Sequence, residues 1–227
     1  MTNPKLMWLA LAVFSLTSVE RASADVIGFV ITVSALPTTI TQCRDPDAYL
    51  STGVDQGWGI FIDTDASYQT GAGPGYDVLI SIDIPPISTP CAPTVVSTEQ
   101  AYSAVLKRWN SNISSFENSY VQVTLAFDFA NNKITVVVPE DGPLLGMSPN
   151  ARAIVLAQAS YTDVMGTSTL ATDGTALFTY GSEQADPAAD VEPCDANCST
   201  TSDWYKMIDV TDVSSGAPNE IFYAGFE

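Results

Sequence analysis

The stretch Tyr76-Asp77-Val78-Leu79-Ile80-Ser81-Ile82-Asp83-Ile84 decides the fold class. Tyr76, Val78, Ile80, Ile82 and Ile84 recur at a spacing of two on one face, Asp77, Ser81 and Asp83 fall on the other, and only Leu79 breaks the alternation. A period of two marks a strand with one face in a core and one in water, and Pro85-Pro86 ends it by removing amide donors. The pattern recurs downstream, where Val121, Val123, Leu125, Phe127 and Phe129 share a face opposite Gln122, Thr124 and Asp128. Asn131-Asn132 then supplies residues that tolerate positive φ, and Lys133 to Val138 returns as a Val/Ile/Thr strand stopped by Pro139, which predicts a hairpin.

Outward from these segments, Val26 to Ser34, Trp58 to Ile62, Ala151 to Ser160 and Thr175 to Tyr180 read as further strands. Between them lie polar or Gly-rich loops at Thr38–Gly57, Asp63–Gly75 and Ser88–Thr94, and a Gly/Thr/Ser/Asp loop that contains Asp163 and Asp173. Ser97 to Trp109 carries two signals. Ser97-Thr98-Glu99-Gln100 resembles a capping box, with Ala101, Val105 and Trp109 at helical spacing, while Tyr102, Ala104, Leu106 and Arg108 alternate. A strand is preferred, because its neighbours are β and Asn110-Ser111-Asn112 makes a natural turn. The expectation is all-β: one antiparallel, jelly-roll-like β-sandwich over residues 25–181. Residues 182–227 read as an acidic linker and tail. Ser182 to Ser202 holds Glu183, Asp186, Asp190, Glu192 and Asp195 with little to bury, Asp203 to Val213 offers one more strand through Trp204, Met207 and Ile208, and the end from Ile221 to Glu227 is apolar and aromatic.

Composition narrows the function classes. At 46% hydrophobic and 15% charged residues, the 227-residue chain is globular. Residues 1–24, with Lys5, an apolar run from Leu6 to Leu16 and a small-residue end at Ala22-Ser23-Ala24, read as a cleavable secretory signal. The mature protein is therefore expected to be extracellular or periplasmic. That run is shorter than the ~20 residues a bilayer core needs, so no membrane insertion of the mature chain is expected; Glu20 and Arg21 leave a retained N-terminal anchor as the alternative. With 26 acidic against 8 basic residues, a net charge of −18 repels phosphate backbones and anionic lipid heads. Nucleic acid is disfavoured, and cations and neutral ligands remain. The chain has no His, which excludes Ser-His-Asp triads, Cys-His dyads and His-ligated zinc. Four Cys in an exported chain favour disulfides. Of the three connectivities the preferred one joins Cys43 to Cys91 and Cys194 to Cys198, the latter closing a tight C-x3-C loop.

The segment from Phe61 to Asp77 holds the chemistry of greatest interest. Asp63 and Asp65 stand two apart where a strand becomes a loop, Ser67 and Gln69 continue the odd positions, and Asp77 returns as the next strand begins. Oxygen ligands in a Gly-rich loop suit a hard cation of 6–8 coordination, and calcium is the favoured ion. The segment is not an EF-hand: counting from Asp63, Tyr68 stands where the loop needs Gly and Pro74 where it needs Glu. The alternative is that Asp, Gly and Thr here are turn formers in an acidic loop. Asp63-Thr64 also invites comparison with the Asp-Thr-Gly of aspartic proteases, but Asp65 takes the Gly position and no second such loop occurs. Trp58, Trp109 and Trp204 are candidates for a sugar-stacking surface, though core packing, the usual role of large aromatics in strands, is preferred for each.

Trp58-Gly59-Ile60-Phe61-Ile62-Asp63-Thr64-Asp65, followed by Gln69-Thr70-Gly71 and by Gly75-Tyr76-Asp77-Val78-Leu79-Ile80, resembles a pattern in secreted bacterial β-sandwich domains related to the DOMON group and to family-nine carbohydrate-binding modules. Leu106-Lys107-Arg108-Trp109-Asn110 resembles their Trp-bearing hairpin, and Asn132 to Pro139 with Leu144-Leu145-Gly146 their late strand and Leu-Gly turn. The resemblance spans about residues 26–181. It implies a β-sandwich and a ligand drawn from a group that includes sugar binders and haem or electron-transfer domains; without an axial His, haem is disfavoured. The terminal Ile221-Phe222-Tyr223-Ala224-Gly225-Phe226-Glu227 resembles an ending found on diverse exported proteobacterial proteins. The expected function is a non-catalytic, calcium-stabilised module that binds carbohydrate or a cell-surface polymer. A structural or adhesive surface protein is the first alternative and a carboxylate-based hydrolase the second.

Overall fold

Alternating apolar residues in Val26–Val33, Val78–Asp83 and Lys133–Pro139 each bury one side of an extended chain, and two sheets close over those sides. The computed structural model describes residues 26–41, 54–83, 95–163, 166–175, 177–179, 184–185 and 210–216. In chain order the strands are β1 (Val26–Val33), β2 (Thr39–Thr41), β3 (Val54–Asp63), β4 (Val78–Asp83), β5 (Val95–Ser97), β6 (Ser103–Asn110), β7 (Ser115–Asn118), β8 (Thr124–Asp128), β9 (Lys133–Pro139), β10 (Arg152–Asp163), β11 (Gly166–Gly174), β12 (Phe178–Thr179), β13 (Gln184–Ala185) and β14 (Val210–Gly216). One short helix, α1 (Thr98–Ala101), and a 3-10 turn at Gly142–Leu144 interrupt them.

The fold is an antiparallel β-sandwich. One sheet has five strands in the order β13-β14-β1-β9-β8; the other has seven, β11-β10-β3-β4-β6-β7, with β12 also paired to β10. β2 and β5 form a separate two-stranded ribbon. Phe29, Ile31, Ile134 and Val136 from the first sheet meet Trp58, Ile60, Ile62, Ile80 and Ile82 from the second in one core cluster. At ~1.5–3 kcal/mol for each large side chain taken out of water, that interior is the main favourable contribution to folding. Among the described residues no helix is long and apolar enough to cross a membrane.

Several sequence expectations meet the structure directly. The hairpin at Asn131-Asn132 joins β8 to β9: Asp128 Oδ1 accepts from the amides of Ala130 and Asn131 at 3.1 Å, and Asn132 adopts φ 55°. β8 is shorter than its apolar face, since Val121 and Val123 lie before it yet still pack on the core. Within Ser97–Trp109 both signals have their place. The capping-box end makes one helical turn with Ser97 as N-cap, without the side-chain hydrogen bond of a capping box, and the alternating end becomes β6. β11 stands in a segment read as loop, and β7 in one that the sequence left unassigned; neither alternates in apolarity, and each is a strand because β6 or β10 offers it a ladder. Of the extra strand expected over Asp203–Val213, residues 203–209, with Trp204, Met207 and Ile208, lie outside the described residues; β14 at Val210–Gly216 overlaps only its end and lies between β1 and β13, with Val210 and Val213 fully buried. Cys43, Cys91, Cys194, Cys198, Trp204, residues 1–24, residues 221–227 and most of Ser182–Ser202 lie outside the described residues.

Asp173, placed by the sequence in a loop, is 4% exposed at the end of β11. Its carboxylate accepts from the Gly174 amide at 2.7 Å and from the Val210 amide at 2.8 Å, tying one sheet to the first residue of a strand in the other. Asp173→Ala strands a buried amide at Val210, and the expected loss is ~1–3 kcal/mol. The midpoint of urea unfolding reads it; a loss within error removes this cross-sheet tie.

Candidate metal centre and the aromatic face beside it

On β3, Trp58, Ile60 and Ile62 point into the core, so Gly57, Gly59, Phe61 and Asp63 face the opposite side of the seven-stranded sheet. Asp63 pairs with Arg152 of β10 in register. Asp77 lies opposite Asp63, one step beyond the Ile62–Val78 pair, with its amide donating to Ile62 O at 2.9 Å. Trp109 is next, its amide donating to Asp77 O at 2.8 Å, and it pairs with Phe116 on β7. Arg152, Asp63, Asp77, Trp109 and Phe116 therefore form one row across the end of the sheet.

Residues 64–77 fold back over that row. Ala66 takes φ 60°, and Ala72 and Tyr76 exchange backbone hydrogen bonds at 2.7 and 2.9 Å. Glycine is required at Gly71 and Gly75: both have positive φ, and a Cβ would come within 2.3 Å of the Tyr76 and Ser67 carbonyl oxygens respectively. This closure brings ligand oxygens of Asp63, Asp65 and Asp77 within 4.8 Å of one another. Asp63 is 1% exposed, Asp77 half-buried and Asp65 exposed.

Each carboxylate is anchored. The Ser67 amide donates to Asp63 Oδ1 at 3.1 Å and to Asp65 Oδ1 at 2.9 Å, and Thr70 Oγ1 donates to Asp65. Thr64 donates to Asp77 Oδ2 from its amide at 3.1 Å and from Oγ1 at 2.9 Å. Arg152 Nη2 donates to Asp63 Oδ2, and its guanidinium lies 3.7 Å from the Tyr68 ring centroid. The hydrogen bond to Asp63 raises the Arg152 pKa further. Burial raises the Tyr76 hydroxyl, an effect that the Arg152 charge opposes.

Burial also raises the Asp77 carboxyl above its ordinary 3.8; the Thr64 hydrogen bonds oppose this, and the charges of Asp65 and Asp63 add to it. A carboxyl whose folded pKa exceeds its unfolded one stabilises the fold in its protonated form. Its contribution is complete below the unfolded value and is lost as pH rises through the folded one. In chelator, the melting temperature is therefore expected to carry a falling component as pH climbs from 3.8 through the raised value. Asp77→Asn, which keeps an acceptor for Thr64, removes that component; an unchanged pH profile contradicts the assignment.

Of the five residues expected to hold a metal, the structure brings Asp63, Asp65 and Asp77 together. Ser67 serves the cluster through its amide, and its Oγ accepts from the Gln69 amide at 3.3 Å, so its observed role is to fold the turn. Gln69 is exposed. Arg152 and Tyr68 were missed, because a partner 89 residues away is visible only once β3 and β10 are in register.

Trp58 is corrected from sugar-stacking candidate to core residue: it is 1% exposed, with its ring centroid 5.2 Å from Tyr102. Even positions of β3 face inward, and 58 is one of them. Trp109 faces outward and half-buried, 5.2 Å from Phe116; Phe116 lies 6.1 Å from Phe61, and Phe61 5.5 Å from Tyr76. These rings form a continuous aromatic patch beside the acidic row.

Fold and site together define an antiparallel β-sandwich with an aromatic outer face and an acidic loop at one end of its larger sheet. No family profile, curated protein or solved structure matches the chain.

Proposed function

We propose that this protein is a secreted, non-catalytic binding module whose 63–77 loop is held by calcium and whose ligand is a carbohydrate. The observation that carries the calcium reading is the convergence of Asp63, Asp65 and Asp77 within 4.8 Å. At that spacing two like charges repel by ~3 kcal/mol at an effective dielectric of ~20, less where Asp65 meets water. Arg152 offers one positive charge against three carboxylates. The donor set is all oxygen, as a hard cation requires, with backbone carbonyls and water available to complete the shell. Arg152 already occupies Asp63 Oδ2, so an ion draws on the remaining oxygens.

The carbohydrate reading is supported by the outward rings Phe61, Tyr76, Trp109 and Phe116, since pyranose C–H faces pack on aromatic planes. The charge of −18 disfavours anionic ligands, and the resemblance to family-nine carbohydrate-binding modules points the same way. Melting with calcium and with chelator tests the ion. Calcium at a hundredfold excess over Kd adds ~2.7 kcal/mol, and Asp65→Asn or Asp77→Asn reduces that response. An unchanged melting temperature, with no metal by elemental analysis, removes calcium from the proposal.

A further inference from the structure

The outer face of the larger sheet contains a trough that the aromatic patch only borders. In register across β10, β3 and β4, Gln158 faces Gly57 and Asp83, and in the next outward row Leu156 faces Gly59 and Ser81. Two consecutive outward positions on the middle strand thus carry no side chain. The walls stand two strands apart, ~10 Å at the usual spacing, over a floor of glycine backbone that the Phe61 ring partly covers at Gly59. The space enclosed is about 220 Å³. That is below the ~300–1,000 Å³ of sites that engulf a drug-sized ligand, and it suits one flat ring lying on the sheet.

The glycines have different reasons to be there. A Cβ at Gly57 would lie 2.1 Å from Ile82 O, so backbone approach demands that glycine. At Gly59 the nearest atoms are side chains, Phe61 Cε2 at 2.8 Å and Leu79 Cδ1 at 3.3 Å, so the Phe61 ring packs over the glycine and a side chain there would displace it. The lining is amphiphilic. Phe61 and Leu156, the latter 43% exposed, supply apolar surface, while Gln158, Ser81 and Asp83 supply amide, hydroxyl and carboxylate, with Ser81 donating to Asp83.

We propose that this glycine-floored trough is the saccharide subsite, taking one neutral pyranose ring with a C–H face against Phe61 and Leu156 and hydroxyls toward Gln158 and Asp83. The inference rests on the carbohydrate reading above and adds its location. Charge decides the occupant: Asp83 at the rim and a net −18 repel anionic polymers and a second copy of the chain, while a neutral polyol meets no such cost. Phe61 joins the trough to Tyr76 at the end of the acidic loop, so ordering that loop also steadies the Phe61 end of the trough.

Calorimetric titration of the full chain, in calcium, with cellotetraose, xylotetraose, laminaritetraose and chitotetraose tests the assignment. At least one is expected to bind, with affinity reduced tenfold or more by Gly59→Val, which displaces the Phe61 ring from the floor, and by Gln158→Ala, which leaves the backbone untouched. If Gly59→Val fails to fold, Gln158→Ala and Phe61→Ala carry the test. Binding that survives these changes but is lost in Trp109→Ala overturns the trough and keeps the carbohydrate reading. Binding of none of the four overturns both. Sedimentation that shows a dimer dispersed by Gln158→Ala assigns the face to self-association and overturns the subsite.

Discussion

Arg152→Met is expected to lower the melting temperature in chelator by on the order of 10 °C, because it leaves a buried carboxylate without its counter-charge. Asp63 is 1% exposed, with Arg152 on Oδ2 and the Ser67 amide on Oδ1. Taking away one partner of a buried pair exposes the full desolvation cost of the other, whereas replacing both relieves it. The double variant Arg152→Met with Asp63→Asn should therefore melt above the single one, and the coupling measured in that cycle isolates the pair. Calcium adds a second readout. In the native protein the guanidinium holds Asp63 Oδ2 and leaves an ion the remaining oxygens; without the guanidinium the ion has Oδ2 as well. Calcium should raise the melting temperature of Arg152→Met by more than it raises that of the native chain. An equal or smaller rise means that the three carboxylates do not act together on a cation.

The legible parts of this protein are those where one face of a strand must be apolar. β1, β4 and β9 announce themselves because alternate residues leave water, and the Asn131-Asn132 turn because positive φ needs particular side chains. The acidic cluster was legible for a similar reason: Asp63, Asp65 and Asp77 sit at a strand end and a strand start flanking glycines, a local pattern. What stayed hidden was long-range. β11 has no alternation of its own and exists through its ladder with β10, so no window of sequence contains its cause. Arg152 looks like an ordinary surface cation until β10 lies beside β3. The outward trough is also a product of register, since Gly57 and Gly59 become a floor only when Leu156, Gln158, Ser81 and Asp83 stand on either side. Trp58 is the instructive case, a ligand candidate whose competing core role the structure bears out. Aromatic type suggested a ligand contact, but its even position in β3, shared with Ile60 and Ile62, carried the stronger information.

That position makes Trp58→Ala the other large effect. Trp58 pairs with Ile82 on β4 and Ala157 on β10, and its ring meets Tyr102 in the core cluster. Truncation to Ala opens a cavity between the sheets, with an expected loss of ~3–5 kcal/mol in denaturant unfolding. Trp58→Phe should cost much less than the change in volume suggests. The indole Nε1 is buried without a hydrogen-bond partner among the described residues, and an orphaned donor carries a penalty of ~1–3 kcal/mol that Phe does not. Loss of that penalty offsets part of the smaller cavity. Saccharide affinity gives the contrast that separates core from ligand roles: Trp58→Phe should leave it unchanged, because the ring faces away from the outer surface. If Trp58→Phe instead abolishes binding while the unfolding midpoint holds, the indole reaches the ligand, and the two faces of β3 have been assigned the wrong way round.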